Sequence, residues 1–151
     1  MKGLYLRKVE YSDMDLLYKW ANDTATRKNS FNSDAISYKD HVRWFNSMMG
    51  DDSVLQFIMM NGDTPVGQIR LNINGDEAEI GYSIAEEQRS NGYFQKILQL
   101  KTDTIFVEYS EINVLSAKVK PDNAVSNRLF QNEGYEMQYY CYKKKIQNAR
   151  H

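Results

Sequence analysis

The stretch AEIGYSIAEEQRSNGYFQKILQL, residues 78–100, changes its period halfway along. Ala78, Ile80, Tyr82 and Ile84 alternate with Glu79, Gly81 and Ser83, the period-two signature of a strand with one buried face. From Phe94 the apolar positions Phe94, Ile97, Leu98 and Ile105 share one face of a helix. A polar loop with Arg89 and a single glycine, Gly92, joins the two, and Val114 to Lys120 reads as another strand. Strand, loop, helix and strand in this order predict a parallel, right-handed βαβ crossover. Its loop lies at the end of a strand and at a helix N-terminus, where free backbone N–H groups and the helix dipole favour a phosphate. Gly92 lets the backbone approach an anion without a Cβ in the way, and Arg89 can add charge-assisted hydrogen bonds. The stretch is not a P-loop, because G-x-x-x-x-G-K-[ST] is absent, nor a G-x-G-x-x-G dinucleotide loop. Taken alone, it is equally a plain strand-to-helix turn.

Upstream, Val54 to Met60 is apolar, Asn61-Gly62 and Asn74-Gly75 are turn signals, and Ile69, Leu71 and Ile73 alternate with Gln68, Arg70 and Asn72. Together with residues 77–84 these runs predict a three-stranded antiparallel meander. Residues 3–9 read as a first strand. Ser12 to Asp15 matches a Ser-x-x-Asp capping pattern for a helix through Ala21, and Ser37 to Asp40 repeats it before a wide apolar face of His41, Val42, Trp44, Phe45, Met48 and Met49. Asn22 to Ile36 reads as irregular. Downstream, Asp122 to Glu133 is a helix closed by Gly134 in a left-handed cap, and residues 135–146 read as an aromatic-rich strand. The expected fold is a single α/β (α+β) domain over residues 1–146 with a short polar tail, 147–151. Its central mixed sheet has about six or seven strands and is joined by about four helices.

Composition narrows the function classes. Among 151 residues, 42% hydrophobic and 26% charged are values of an ordinary soluble globular chain. A net charge of -1 argues against a nucleic-acid surface, and Lys143 to Lys145 read as a solvated strand end. No apolar run approaches the roughly 18 residues of a membrane span. One cysteine, Cys141, excludes an internal disulfide framework, and with a start lacking an apolar signal region it indicates the cytoplasm. One cysteine and two histidines make a zinc site improbable, so no metal is expected. A homodimer is compatible with the sequence.

The two stretches 78–100 and KVKPDNAVSNRLFQNEGYE, residues 118–136, together resemble the GNAT superfamily of acyl-CoA-dependent N-acetyltransferases. Arg89-Ser90-Asn91-Gly92-Tyr93-Phe94 is similar to that family's Arg/Gln-x-x-Gly-x-Gly/Ala loop and departs from it at Phe94. Asn123, Ser126, Phe130 and Gly134-Tyr135 stand at the spacings of its later motif. The resemblance implies acetyl-CoA as co-substrate. Its pyrophosphate would lie on Arg89, Ser90, Asn91, Gly92, Tyr93, Phe94 and Gln95, its pantetheine along the strand backbone at Tyr82, Ser83 and Ile84, with Asn123, Ser126 and Phe130 beside it.

The implied reaction is direct attack of a small-molecule primary amine on the thioester, which needs a base for the amine proton and a backbone donor for the carbonyl oxygen. Glu79 is the candidate base, readable also as a residue of a solvated sheet face, and Ser83 a positioner of water or substrate. Where the family often carries a Tyr acid this chain has Phe130, so Tyr139, Tyr140, Tyr142 or solvent would protonate the leaving thiolate. Cys141 reads as structural. Residues 26–45 resemble the region by which some members hold nucleotide-linked amino sugars, with Arg27, Asn29, Phe31, His41 and Trp44 as acceptor contacts; His41 and Trp44 read as well as packing residues. Two rivals stay open: a peptide N-acetyltransferase of the ribosomal-protein type, and a non-catalytic CoA-binding module.

Overall fold

Asn61-Gly62 and Asn74-Gly75 reverse the chain with Gly62 and Gly75 at φ +61° and +64°, values glycine adopts without steric cost. In the computed structural model, which describes residues 3–105 and 109–146, these turns join β2 (Val54–Asn61), β3 (Thr64–Asn74) and β4 (Glu77–Ile84) into the expected antiparallel meander. β1 (Leu4–Lys8) pairs antiparallel with β2, and β5 (Val114–Ala117) pairs parallel with β4, giving the order β1-β2-β3-β4-β5. The helices are α1 (Met14–Ala21), α2 (Thr24–Asn29), α3 (Tyr38–Met49), α4 (Tyr93–Ile105) and α5 (Ala124–Asn132).

Strand parity decides which helix covers which face. Phe57, Ile69, Leu71, Ala78, Ile80 and Ile84 point to one side and form a core with Ile97, Leu98 and Phe130 of α4 and α5. Ile58 and Met60 lie on the other, with Leu17 and Trp20 of α1 and Phe45 and Met48 of α3. The result is a helix–sheet–helix sandwich. Ser37 caps α3, its side chain accepting from the Asp40 N–H at 3.2 Å.

Four expectations change. Ser12 does not cap α1: residues Tyr11–Asp13 form a 3₁₀ turn, and Asp13 turns inward to Arg7. Residues 22–36 are not wholly irregular, because Asp23 accepts from the Thr26 N–H and hydroxyl and so caps the short helix α2. β5 ends at Ala117 rather than Lys120. Residues 135–146 form no strand, so the described residues hold five strands rather than six or seven. Aromatic β-propensity expresses fit to a half-buried pleated surface, and Tyr139, Tyr140 and Tyr142 are exposed. Residues 147–151, expected as a tail, lie outside the described residues.

Arg7 fixes the angle between β1 and α1. Its guanidinium donates twice to Asp13, at 2.8 and 2.9 Å, and Asp13 also accepts from the Glu10 N–H at 2.8 Å. The hydrogen bonds from Arg7 hold the Asp13 carboxyl below the usual carboxylate range, against the opposing effect of burial. The folded value is the lower one, so this contribution is complete above about pH 4 and is lost as pH falls through the folded value. Asp13→Asn should therefore cost about 3 kcal/mol at pH 7, because it leaves Arg7 partly buried without its counter-charge. Urea melts at pH 7 and pH 3 check this: the difference between wild type and variant should shrink at pH 3.

Candidate active site

β4 and β5 part after four residues. Their register runs from Glu77 opposite Val114 to Ile80 opposite Ala117 and stops, while β4 continues to Ile84 beside β3. The Ala85 N–H donates to Val66 on the β3 side, and the Asp76 carbonyl accepts from Asn113 and Val114 on the β5 side. Backbone groups alternate along a strand, so Tyr82 and Ile84 direct their N–H and C=O into the gap. That is an edge to which an extended amide chain can add. On the paired side of β4, Gly67 of β3 packs close: a Cβ there would lie 2.7 Å from the Ser83 carbonyl oxygen.

Beyond the gap, the loop before α4 carries two left-handed residues, Ser90 at φ +71° and Gly92 at φ +76°. A non-glycine residue in this region costs free energy, and such alternation turns successive N–H groups inward as an anion-binding concavity. The first intrahelical donor is the Lys96 N–H, which reaches Gly92, so the N–H groups of Tyr93, Phe94 and Gln95 are left at the helix end. This arrangement fits a pyrophosphate. The side chains have other tasks. Tyr93 is buried with its hydroxyl accepting from Asn61 at 3.1 Å, Asn91 donates to the Gln88 carbonyl, and Gln95 donates to Glu133. Phe94, where the family pattern has a small residue, packs edge-on against Tyr82 with centroids 5.3 Å apart, away from the loop. Arg89 pairs with Asp23 of the α2 cap.

The second motif lies across the gap. Asn123 caps α5 by accepting from the Ser126 N–H, and the Ser126 and Tyr82 hydroxyls meet at 2.6 Å. Burial raises the Tyr82 hydroxyl pKa, and the bond to Ser126 partly offsets this. Phe130 is buried between Tyr82 and Tyr135, at 5.8 and 5.0 Å. Burial, with a smaller effect from the Glu133 charge, pushes the Tyr135 phenol up to about 12.

On the opposite face of the sheet, Glu79, Gly81 and Ser83 share parity with Arg70 and Gln68 of β3. Glu79 is half-buried and accepts from the Lys118 ammonium at 3.2 Å, and this hydrogen bond raises the Lys118 pKa. Ser83 is buried at the end of a side-chain row in which Gln56 donates to Gln68 and Gln68 to Ser83. Four residues of strand, about 13 Å, separate Glu79 from Ser83, so the two do not act on one atom.

The expected acceptor residues divide. Trp44 is 36% exposed and Phe31 65%, and Asn29 ends α2 at the surface. His41 is buried: its Nε2–H donates to the Met14 carbonyl at 2.8 Å and its ring packs among Tyr18, Trp44 and Phe45. Arg27 spends its donors on the carbonyls of Ala21, Asn32 and Asp34 and on the Ser30 hydroxyl, bracing the loop after α2. The residues that sequence reading passed over are Arg70, Lys118 and Asp23. Arg70 had one signal: a cation on the strand parity that faces the helices. Among the described residues no group of three or more His, Cys, Asp or Glu could hold a metal ion, and no helix is long and apolar enough to cross a membrane.

Comparison with known proteins agrees with this geometry. No curated protein matches the chain by sequence. Solved structures do. Spermidine N-acetyltransferase from Vibrio cholerae, in complex with CoA and spermine, superposes with a TM-score of 0.86 at 19% identity, over 99% of this chain and 90% of the other. Aminoglycoside acetyltransferase AAC(6')-Ib, with ribostamycin and coenzyme A, gives 0.78 at 19% identity, over 91% and 85%. A ribosomal-protein alpha-N-acetyltransferase, RimL, in complex with coenzyme A gives 0.78 at 17%, over 92% and 83%. The model of the acetyltransferase (GNAT) domain matches residues 3–136. With nearly the whole chain matched, and with the parted strands and helix-end loop in place, the protein belongs to the GNAT acetyltransferase family and is an acetyl-CoA-dependent N-acetyltransferase.

Proposed function

We propose that the protein acetylates the primary amine of a small molecule, a sugar carried on a nucleotide, and that Glu79 takes the amine proton. The observation that carries the reading is the position of Glu79 on β4. It stands next to the last paired position, Ile80–Ala117, on the face that carries Trp44. An amine approaching the gap from that face passes the carboxylate. Near pH 7 the amine is protonated and cannot attack; loss of its proton to Glu79, directly or through water, frees the lone pair. The N–H groups of Tyr82 and Ile84 are the backbone donors at hand for the carbonyl oxygen. Acetyl-CoA supplies the thioester, and its CoA thiolate leaves.

The neighbouring structures hold spermine and an aminoglycoside, so a small amine is the acceptor class they favour. The nucleotide-linked sugar rests on this chain's own surface. Phe31 and Trp44 are exposed rings suited to a base or sugar face, and Lys28 and Lys120 stand at the same lip of the gap, where the Lys120 ammonium donates to the Lys28 carbonyl at 2.9 Å. His41 and Arg27 are occupied in the protein, so the contacts once expected of them fall to Phe31 and Trp44.

Two variants test the reading. Glu79→Gln keeps the size and removes the basicity; kcat should fall by roughly 10²-fold at pH 7, with the loss shrinking toward pH 9 as the amine deprotonates unaided. Unchanged kcat from pH 6 to 9 would remove Glu79 from the reaction. Gly92→Val forces a branched side chain into a left-handed position of the loop; affinity for acetyl-CoA should drop roughly tenfold or more. Equal CoA-induced rises in melting temperature for variant and wild type would show that the loop does not hold the pyrophosphate.

A further inference from the structure

Arg70 is the charged side chain that the reaction described above leaves unused. It sits in the middle strand of the meander, opposite Gln56 on β2 and Gly81 on β4. The Arg70 Nη2 atom stands 3.6 Å from where a Cβ on Gly81 would be, so the guanidinium lies over the β4 backbone one residue before Tyr82, where the gap opens. Its other flank is the Trp44 ring, with the guanidinium carbon 5.5 Å from the ring centroid. Burial lowers its pKa and the Glu79 charge acts against this, but a guanidinium stays charged throughout the working range.

This guanidinium has a ring and a distant charge beside it, but no hydrogen-bond acceptor among the described residues. Glu79, a carboxylate on the same face, accepts from Lys118 rather than from Arg70. Asp51 lies across a cleft of about 280 Å³ that Arg70 shares with Trp44 and Asn72, and its carboxylate accepts from the Ser53 N–H and hydroxyl at 2.9 and 2.6 Å. The guanidinium is half-buried and faces the cleft, so its donors are turned toward whatever enters it. Its planar fork matches the oxygens of a phosphate or carboxylate, and its stacking on Trp44 holds that fork in one orientation. A polycationic acceptor, by contrast, would meet a like charge at this point.

We propose that Arg70, seated on Trp44, binds an oxyanion carried by the acceptor, and so selects amines bearing a phosphate or carboxylate over bare polyamines. This rests on the reading that the acceptor enters on the Glu79 face, and it names the chemistry by which that acceptor is recognised. Arg70 is a specificity residue here; the reacting atoms lie beyond it, at the gap.

The test uses full-length protein and two readouts. The first is acetylation of glucosamine 1-phosphate, glucosamine, γ-aminobutyrate and spermidine by wild type, Arg70→Gln and Arg70→Lys. Wild type should favour glucosamine 1-phosphate over glucosamine roughly tenfold to a hundredfold in kcat/KM, mostly through KM. Arg70→Gln should bring that ratio close to one without changing KM for acetyl-CoA, and Arg70→Lys should recover part of it. Activity with γ-aminobutyrate instead assigns the oxyanion as a carboxylate. A ratio that survives Arg70→Gln, or preference of wild type for spermidine, overturns the proposal. The second readout does not need turnover: quenching of tryptophan fluorescence by inorganic pyrophosphate, with coenzyme A saturating so that the loop before α4 is filled. Quenching in wild type that Arg70→Gln loses supports the site even if none of the four amines is acetylated, in which case the acceptor reading fails and the anion site stands. Equal response of the two proteins, both still binding coenzyme A, means that Arg70 holds no oxyanion.

Discussion

The parting of β4 from β5 after Ile80 is the constraint on which the rest of the molecule depends. A parallel pair inside a sheet normally keeps its ladder, because an unpaired buried amide costs free energy. Here the ladder stops while β4 runs on for four more residues, which leaves the Tyr82 and Ile84 backbone without strand partners on that side. What holds the gap open is side-chain structure on both of its lips. Tyr82, Phe94 and Phe130 wedge one face with three edge-on rings, and Ser126 ties the Tyr82 hydroxyl to α5. Phe94 thus has an architectural reason to replace a small residue: its ring forms part of the wedge, and the loop before α4 still closes around Ser90 and Gly92.

On the other face the short helix α2 spans the mouth of the gap. Its capping residue Asp23 is paired with Arg89 of the loop before α4, and its last turn is reached by Lys120 from beyond β5. Arg27 and Asn22 then fix the segment that follows, Asn22 by exchanging two hydrogen bonds with the Ile36 backbone. The loop before α4 and the segment around α2 are therefore one connected structure, with the same aspartate serving as helix cap and as counter-ion. Arg89 thus ties the loop before α4 to the cap of α2.

The fold was largely legible in the sequence because its elements are encoded locally. Two Asn-Gly turns, strict alternation in residues 77–84, Ser37 before α3 and Gly134 after α5 are each short-range signals, and each predicted its element correctly. Backbone geometry was legible too: the left-handed turn at Gly92 and the unpaired strand edge from Tyr82 to Ile84 stand where the sequence places a loop and a strand end. The site was poorly legible where side chains choose partners over long separations. His41, readable as a ligand or as a packing residue, found the Met14 carbonyl, and Arg27 found the carbonyls of Ala21, Asn32 and Asp34. Arg70 reads as an ordinary polar position of an alternating strand, since its contact with Trp44 joins it to a distant helix. Residues 135–146 show the reverse failure: strong strand propensity with no ladder to join among the described residues.

In the function proposed above, the open β4 edge serves acetyl transfer to a small amine that enters beside Glu79. The most direct measurement is the initial rate of free-thiol release from acetyl-CoA by the wild-type protein. The acceptors to compare are a nucleotide-linked amino sugar, the same sugar without its nucleotide, a basic peptide and a polyamine, at equal concentration. The account predicts fastest release with the nucleotide-linked amine and a large loss when the nucleotide is removed, because remote binding contacts then no longer help position the amine. Faster release with the peptide or the polyamine would contradict the acceptor assignment. Release no faster than buffer hydrolysis with all four, while coenzyme A binds, would contradict the claim itself.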